Sequence, residues 1–213
     1  MHIPDGILPV SVNAAGYAVT AATTWYSMRK INRRENPRAG IPKASLLTAA
    51  FFVASWIHIP VPPTSVHLVL NGLLGAILGY FAFPAILIGL FFQAVMFQHG
   101  GLTTLGVNAV VMGVPALAAH YVFRLRHAGG SPSRLKTGIF GFLAGAGALA
   151  ISVLLFVTIL LTSMPADIAV ATERQAIMLL AMAHIPLVFI EGTFTALVAV
   201  YIQRVRPRML DGI

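Results

Sequence analysis

Seven long apolar segments separated by short polar connections dominate this sequence of 213 residues. They cover residues 9–28, 42–59, 65–81, 84–98, 105–123, 137–161 and 175–203. Runs of this kind are typical of membrane-spanning helices, because lipid offers backbone polar groups no partner outside the helix. Only 9% of the residues are charged, whereas soluble proteins carry about 25%. We therefore predict an all-α polytopic membrane protein of about seven transmembrane helices, formed by one domain over residues 1–213.

Two details modify this helical pattern. Segments 65–81 and 84–98 are short and are separated by "FAFPA", which predicts a tight helical hairpin. Pro186 lies inside the last segment and predicts a kink or a loosened turn. Glycines recur at spacings that allow close helix contact, either within the bundle or with a partner subunit. They are Gly72, Gly75 and Gly79 in the third segment, and Gly138, Gly141, Gly145 and Gly147 in the sixth.

Lys and Arg residues are concentrated in three connections. They lie within residues 29–43, 124–136 and 204–208, and Arg174 is the one exception. With seven spans these regions share one side of the membrane, and basic loops face the cytoplasm. We therefore expect the amino end outside and the carboxyl end inside, in the inner membrane of a bacterium. Anionic lipid, rather than nucleic acid, is the expected counterpart of the net charge of +8.

The predicted outer face collects histidines. It holds "MHIPDG", "WIHIPVPPTSVH", "QHGGLTTLG" and "SMPADIAVATE", with four of the seven histidines: His2, His58, His67 and His99. The chain has no cysteine, which excludes thiolate metal sites and thiol nucleophiles. It also lacks the phosphate-binding loop that ATP hydrolysis would need, and the common hydrolase motifs.

The amino end carries the donors of a compact metal chelate. It shows none of the features of a signal peptide, so we expect the end as written to be the working terminus. The amine of Met1, the backbone nitrogen of His2 and its imidazole Nδ1 can form fused five- and six-membered rings around one ion. The amide must lose its proton, which favours Cu²⁺, Ni²⁺ or, less readily, Co²⁺. The turn-forming "PDG" predicts that residues 1–8 fold into the bundle; the alternative is an unstructured end.

His67 is the preferred candidate for a fourth nitrogen, because it is expected to begin the third segment on the face where the amino end arrives. A hydrogen-bonded histidine without a metal is the alternative, and His58 could replace it as ligand. Four further residues are candidates for organising the surrounding loops, or for capping the helix that begins near Leu105. They are Asp5, His99, Thr103 and Asn108.

Three polar residues inside the predicted spans are further candidates: Asn71, His184 and Glu191. Ionisable groups within the membrane are costly and are by default functional candidates. His184 and Glu191 are seven residues apart and so share one face of a helix. They could form part of an ion path, or a hydrogen-bonded pair that stabilises the Pro186 region.

Two motifs resemble a known family: "MHIPDGILP" at the start and "HGGLTTLGVNAVVMG" in the middle. With seven spans and an outer amino end, they are similar to the CbiM/NikM family over essentially the whole chain. Its members are the substrate-capture components of energy-coupling-factor transporters for Co²⁺ and Ni²⁺. The resemblance implies that Met1, His2 and His67 bind the metal. One variant of the family has "SCSHPTGTGLG" around the helical histidine, where this chain has "PPTSVHLVLNGLLG".

The resemblance also implies partners and a role. The partners are a transmembrane coupling subunit of the CbiQ/NikQ type, ATPase subunits of the CbiO/NikO type and often a small CbiN/NikN-type membrane protein. The role is capture of Co²⁺ or Ni²⁺ for ATP-driven uptake, for example for cobalamin biosynthesis, without an organic cofactor. The alternatives are an intramembrane enzyme and a proton-coupled secondary transporter, either of which would use His184 and Glu191.

Overall fold

The computed structural model describes residues 2–61, 64–163 and 170–211, with the backbone alone at 58–61, 64–65, 170–173 and 211. Within these ranges a bundle of helices carries one β-hairpin. The helices are α1 (Val10–Asn32), α2 (Ile41–Ala54), α3 (Asn71–Leu78), α4 (Ala82–Phe97), α5 (Leu105–Arg124), α6 (Arg134–Ser163), α7 (Val170–Val205) and α8 (Arg208–Asp211). The strands are β1 (His58–Val61) and β2 (Thr64–His67), and short 3-10 helices occupy Pro37–Gly40, Gly79–Phe81 and Leu125–His127.

Helices α1 to α7 correspond to the seven predicted segments, which confirms an all-α membrane protein. Four stretches are long and apolar enough to cross a membrane by length and composition: Leu105–His127, Arg134–Ser163, Arg174–Val205, and Asn71–Phe97, which comprises α3 and α4 together. Helix α2 has 14 residues and is therefore about 21 Å long, less than the roughly 30 Å of a bilayer core. Helix α1 has 23 residues but carries polar side chains along its length, among them Asn13, Thr20 and Ser27.

The predicted helical hairpin is present, with its turn at Gly79. Along α3, the amide of Asn71 bonds Met112 of α5, and a Cβ at Gly75 would touch Ala116. Gly79 lies at His120, so α3 runs in the same direction as α5. Gly79 has a φ of +59°, which a residue with a side chain rarely adopts. Phe83 of α4 then packs back at Gly113, one to two turns earlier along α5.

The expected helix from residue 65 is wrong at its start. Residues 64–67 form β2, which pairs antiparallel with β1 in the register His58↔His67, and α3 begins only at Asn71. The expected helix to residue 59 likewise ends at Ala54. The β-branched residues Ile59, Val61, Thr64 and Val66 favour strands over helix. His67 therefore ends a strand rather than heading a helix.

The glycines in the two predicted faces mediate packing inside the bundle. A Cβ at Gly72 would lie 2.6 Å from Gly145 Cα, and one at Gly145 would lie 2.7 Å from the Glu191 carbonyl oxygen. Helices α3, α6 and α7 therefore approach each other at backbone distance there, as small residues permit. Gly147 has nothing within 4 Å of its Cβ position, so it takes no part in this contact.

The connections gather at two ends of the bundle. The amino-terminal segment, the β-hairpin and the loop between α4 and α5 form one end. Basic residues gather at the other end, where Lys43 bonds the carbonyl of Met209 at 2.7 Å and Arg126 bonds that of Leu210 at 3.0 Å. This separation agrees with the charge pattern, and the direction of the bundle across the membrane stays a prediction.

Candidate metal site

The amino-terminal segment lies against the start of α5. The side-chain amide of Asn108 accepts the N–H of Ile3 at 2.9 Å and donates to its carbonyl at 3.0 Å, as a neighbouring strand would. The Thr104 hydroxyl donates to the same carbonyl at 2.7 Å. Ile3 is fully buried, and buried backbone groups need such partners. These hydrogen bonds hold residue 3 of the segment against the end of the bundle.

Asp5 fastens the same segment to the loop before α5. Its Oδ1 accepts the Thr103 N–H at 2.9 Å and the Thr103 hydroxyl at 2.6 Å, and its Oδ2 accepts the Leu102 N–H at 3.2 Å. The hydrogen bond from the Thr103 hydroxyl lowers the pKa of the Asp5 carboxyl, which favours its charged form. A Cβ at Gly101 would lie 1.9 Å from Oδ1, so only glycine fits there.

The orientation of the His2 imidazole is set by Gln93 of α4. His2 Nε2 lies 2.9 Å from the Gln93 side-chain oxygen, and the Gln93 amide nitrogen is directed at the Phe51 carbonyl, at 3.4 Å. The oxygen can only accept, so Nε2 carries the proton and Nδ1 keeps its lone pair. Burial, the largest cause, lowers the pKa of His2 well below its usual range, and the His67 ring adds to the effect. The ring is therefore neutral, with Nδ1 able to bind a cation.

The His67 imidazole lies beside that of His2 with the opposite tautomer. Its Nδ1 donates to the Leu68 carbonyl at 3.0 Å, which leaves the lone pair on Nε2. The ring centres of His2 and His67 are 5.1 Å apart. Two imidazoles at right angles on one ion, with bonds of about 2 Å, would bring their centres to about 4–5 Å. The pair is therefore close to the separation that a shared metal ion requires.

His99 completes a group of three imidazoles. Its ring centre lies 5.8 Å from that of His2 and 6.4 Å from that of His67, nearly parallel to the latter. Within residues 2–61, 64–163 and 170–211, no group of three or more His, Cys, Asp or Glu side chains could hold a metal ion. Met1 and the His58 side chain lie outside the described parts of the chain.

The intramembrane polar residues have separate partners. The Glu191 carboxylate accepts the backbone N–H groups of Val69 and Leu70. His184 Nδ1 bonds the Leu180 carbonyl of its own helix at 2.7 Å. Asn71 Nδ2 bonds the Met112 carbonyl and, at 2.8 Å, the Ser152 hydroxyl. His184 and Glu191 share a face of α7, but their side chains bind different parts of the structure.

Gln93 is the residue that the sequence interpretation missed. It sits in a segment of otherwise apolar residues, "ILIGLFFQAVMF", and only 1% of its surface is exposed. A lone amide in an apolar span was the signal that could have identified it, because a buried amide needs hydrogen-bond partners. Thr104 lies in the same polar turn as Thr103: its buried hydroxyl binds the Ile3 carbonyl, whereas the Thr103 hydroxyl binds the exposed Asp5.

Comparisons with known proteins match nearly the whole chain. A family profile, CbiM, described as "Cobalt uptake substrate-specific transmembrane region", matches residues 2–209. A "Putative metal transport protein" of Haemophilus influenzae is 35% identical, over 99% of this chain and 97% of its own. A "Putative cobalt transport protein CbiM 1" of Methanocorpusculum labreanum is 34% identical, over 99% and 92%. The "Fused nickel transport protein NikMN" of Rhodobacter capsulatus is 35% identical, over 71% of this chain and 45% of its own.

Two solved structures share the fold. The crystal structure of a truncated transition metal transporter superposes with a TM-score of 0.72 at 23% identity, covering 96% of this chain and 99% of its own. That of a transition metal transporter superposes with a TM-score of 0.71 at 25% identity, covering 96% and 93%. The chain therefore shares its overall fold with these two transition metal transporters.

Proposed function

Because this chain belongs to the CbiM family of cobalt-uptake substrate-specific transmembrane regions, and is a cobalt or nickel transport membrane protein, we propose that it captures the ion with four nitrogens at its outer end. The Met1 amine, the His2 amide and His2 Nδ1 supply three nitrogens in one plane. His67 Nε2 supplies the fourth. The ion is the transported substrate.

The observation that carries this proposal is the matched pair of tautomers. Gln93 leaves the lone pair of His2 on Nδ1, the one ring nitrogen that can close a six-membered chelate ring with its own backbone amide. The Leu68 carbonyl leaves the lone pair of His67 on Nε2, the nitrogen farther from the backbone. With the rings 5.1 Å apart, each imidazole already has the tautomer that binding of one shared ion would require.

The donor set selects the class of ion. A deprotonated amide and three other nitrogens in one plane suit Ni²⁺ and Co²⁺, whereas Mg²⁺ and Ca²⁺ prefer oxygen ligands. Asp5, Thr103, Asn108 and His99 support the site by holding the segment and filling the space around it. The family description favours Co²⁺ as the substrate, and the NikMN relative is named for nickel.

ATP-driven transport by this protein would need partner subunits that bind ATP. The fusion in the NikMN relative supports a small NikN-type membrane partner for this chain. We propose a CbiQ-type coupling subunit and CbiO-type ATPases as the remaining components, in the inner membrane of a bacterium. Uptake would then supply the cobalt that cobalamin biosynthesis consumes.

The enzyme and secondary-transporter alternatives gain no support from the geometry. The enzyme depends on His184 and Glu191 acting together, and the secondary transporter depends on a proton path through Glu191. These side chains bond to Leu180 and to residues 69–70 respectively. The family and the structural neighbours are metal transporters. Neither alternative predicts any role for the amino terminus.

The test is extension of the amino terminus by two alanines in the full-length protein, since a single one would make the histidine the third residue and create a different four-nitrogen chelate. Two added residues move the amine too far from the His2 imidazole for fused chelate rings to close, and we expect Ni²⁺ and Co²⁺ binding by the purified protein to be lost. Calorimetric titration with each ion measures this, and the same two alanines added at the carboxyl end are the control. Undiminished binding by the extended protein, with intact mass confirmed by mass spectrometry, would contradict the proposal.

A further inference from the structure

Glu191 is placed where it can act on the metal site through a single peptide group. Its Oε1 accepts the N–H of Val69, and both carboxylate oxygens lie 3.0 Å from the N–H of Leu70. Glu191 and Val69 are at most 1% exposed. The residue belongs to α7, while the backbone that it binds connects β2 to α3. The contact therefore joins a peripheral helix to the segment that carries His67.

The peptide between Leu68 and Val69 has bonds on both sides. Its N–H is the group that donates to Glu191, and its carbonyl oxygen is the group that accepts from His67 Nδ1, at 3.0 Å. Carboxylate, peptide and imidazole thus form one continuous chain of hydrogen bonds. Each bond in such a chain polarises the next, more strongly in a site without water.

We propose that Glu191 is a positioning residue for the metal ligand His67, acting through the peptide between Leu68 and Val69. The proposal rests on the proposed function, because it takes His67 Nε2 as a ligand. Metal-binding histidines commonly donate their other ring nitrogen to a carboxylate or a carbonyl, which orients the ring and makes it a better ligand. Here a carbonyl receives that bond, and Glu191 both polarises the carbonyl and fixes its direction.

The backbone conformation adds a second reason for the carboxylate. Leu70 has a φ of +56°, a left-handed conformation that is unfavourable for a leucine. At this turn the N–H groups of Val69 and Leu70 both donate to the Glu191 carboxylate. A carboxylate has two acceptor oxygens and a negative charge, whereas a glutamine side chain presents one oxygen and an N–H₂ group. Glu191→Gln therefore keeps the volume of the side chain, removes the charge that polarises the peptide and places an N–H₂ group against the Leu70 N–H.

The experiment compares Ni²⁺ bound to the full-length protein and to three variants: Glu191→Gln, Glu191→Leu and His67→Ala. The energy of the visible d–d absorption of Ni²⁺ reports the donor strength of its four ligands. We expect the absorption of both Glu191 variants to move to lower energy, between wild type and His67→Ala. The affinity for Ni²⁺ should fall about 10- to 100-fold, as is typical when an outer partner of a ligand is removed.

Ser152→Ala is the matched control, because it removes the 2.8 Å acceptor of Asn71 at the start of α3 and leaves residues 68 and 69 untouched. It should lower the unfolding temperature and leave the absorption unchanged. Glu191 variants that are destabilised but show the wild-type absorption would overturn the proposal and assign Glu191 to the fold alone. If the protein with the extended amino terminus kept the wild-type absorption, the four-nitrogen site itself would be refuted. Failure of the Glu191 proposal and failure of the proposed function are therefore distinguishable.

Discussion

The two segments that carry the candidate ligands, residues 2–8 with His2 and residues 67–71 with His67, are built on the same principle. Neither is a helix that turns a ligand toward the site. In each, irregular backbone is held by a polar side chain from a helix far along the sequence. Asn108 binds both backbone groups of Ile3, and Glu191 binds the N–H groups of Val69 and Leu70.

The segments differ in which helix holds them. Asn108 belongs to α5, which packs against α1, α3, α4 and α6. Glu191 belongs to α7, which packs mainly on α6 and exposes a row of large apolar side chains. That row includes Met178, Met182, Ile185, Phe189, Leu197 and Tyr201. The segment that carries His2 is therefore held by an interior helix, and the segment that carries His67 is held by a peripheral helix.

They differ also in what else depends on them. Residues 2–8 attach to one end of a bundle whose helices already contact each other. Residues 67–71 lead directly into α3, where Asn71 joins α3 to α5 and α6. The His2 half, residues 2–8, is therefore an added segment, whereas the His67 half, residues 67–71, is part of the packing of the bundle.

The largest difference should appear when the same substitution is made in both halves. Asn71→Leu removes the acceptor of the Gly72 N–H and the donors to Met112 and Ser152. We expect the free energy of unfolding to fall by about 1–3 kcal/mol. Denaturation in mixed micelles, followed by tryptophan fluorescence, measures it.

Asn108→Leu is the counterpart in the His2 half. It leaves the buried Ile3 backbone groups without the side-chain amide, so binding of Ni²⁺ should be weakened while the denaturation midpoint stays closer to wild type than that of Asn71→Leu. Equal destabilisation by Asn71→Leu and Asn108→Leu would show that the two segments contribute equally to the stability of the bundle.

A smaller effect, confined to metal binding, is expected from Gln93→Met. The thioether fills the space of the amide but cannot accept the His2 Nε2–H, so the ring loses the partner that selects its tautomer. The affinity for Ni²⁺ should fall about 10- to 100-fold with little change in stability. Calorimetric titration checks this against Gln203→Met, whose amide bonds Pro132 at the opposite end of the bundle. Wild-type affinity in Gln93→Met would show that the tautomer of His2 is set elsewhere.

The smallest effect is expected from Asp5→Asn. Asp5 is exposed, and its charged hydrogen bonds to the Thr103 N–H and hydroxyl are weakened by solvent. Asparagine retains one acceptor oxygen, so we expect the affinity for Ni²⁺ to drop about two- to tenfold. The exposed Glu35→Gln is the control, since it removes the same charge at a distance from the site. A loss of affinity as large as that of Gln93→Met would mean that the His2 half depends chiefly on the exposed hydrogen bonds of Asp5.

Local patterns were sufficient for much of the fold and part of the site. Apolar runs predicted seven helices, and "FAFPA" predicted the hairpin of α3 and α4. Such predictions succeed because a helix satisfies its own backbone hydrogen bonds and its periodicity appears in neighbouring residues. They failed at residues 64–70, where apolar, β-branched residues form β2 and a left-handed turn. In such a short segment, composition alone does not separate strand from helix.

The sequence by itself determined that this chain is a helical membrane protein and predicted a histidine chelate at its amino end, because residue type and adjacency suffice for both inferences. Only the tertiary structure decided that Gln93 faces His2, that the Leu68–Val69 peptide links Glu191 to His67, and that His184 is left out. These contacts join residues 91 and 122 positions apart. Their existence depends on the rotation and depth at which packed helices meet, which no local pattern encodes.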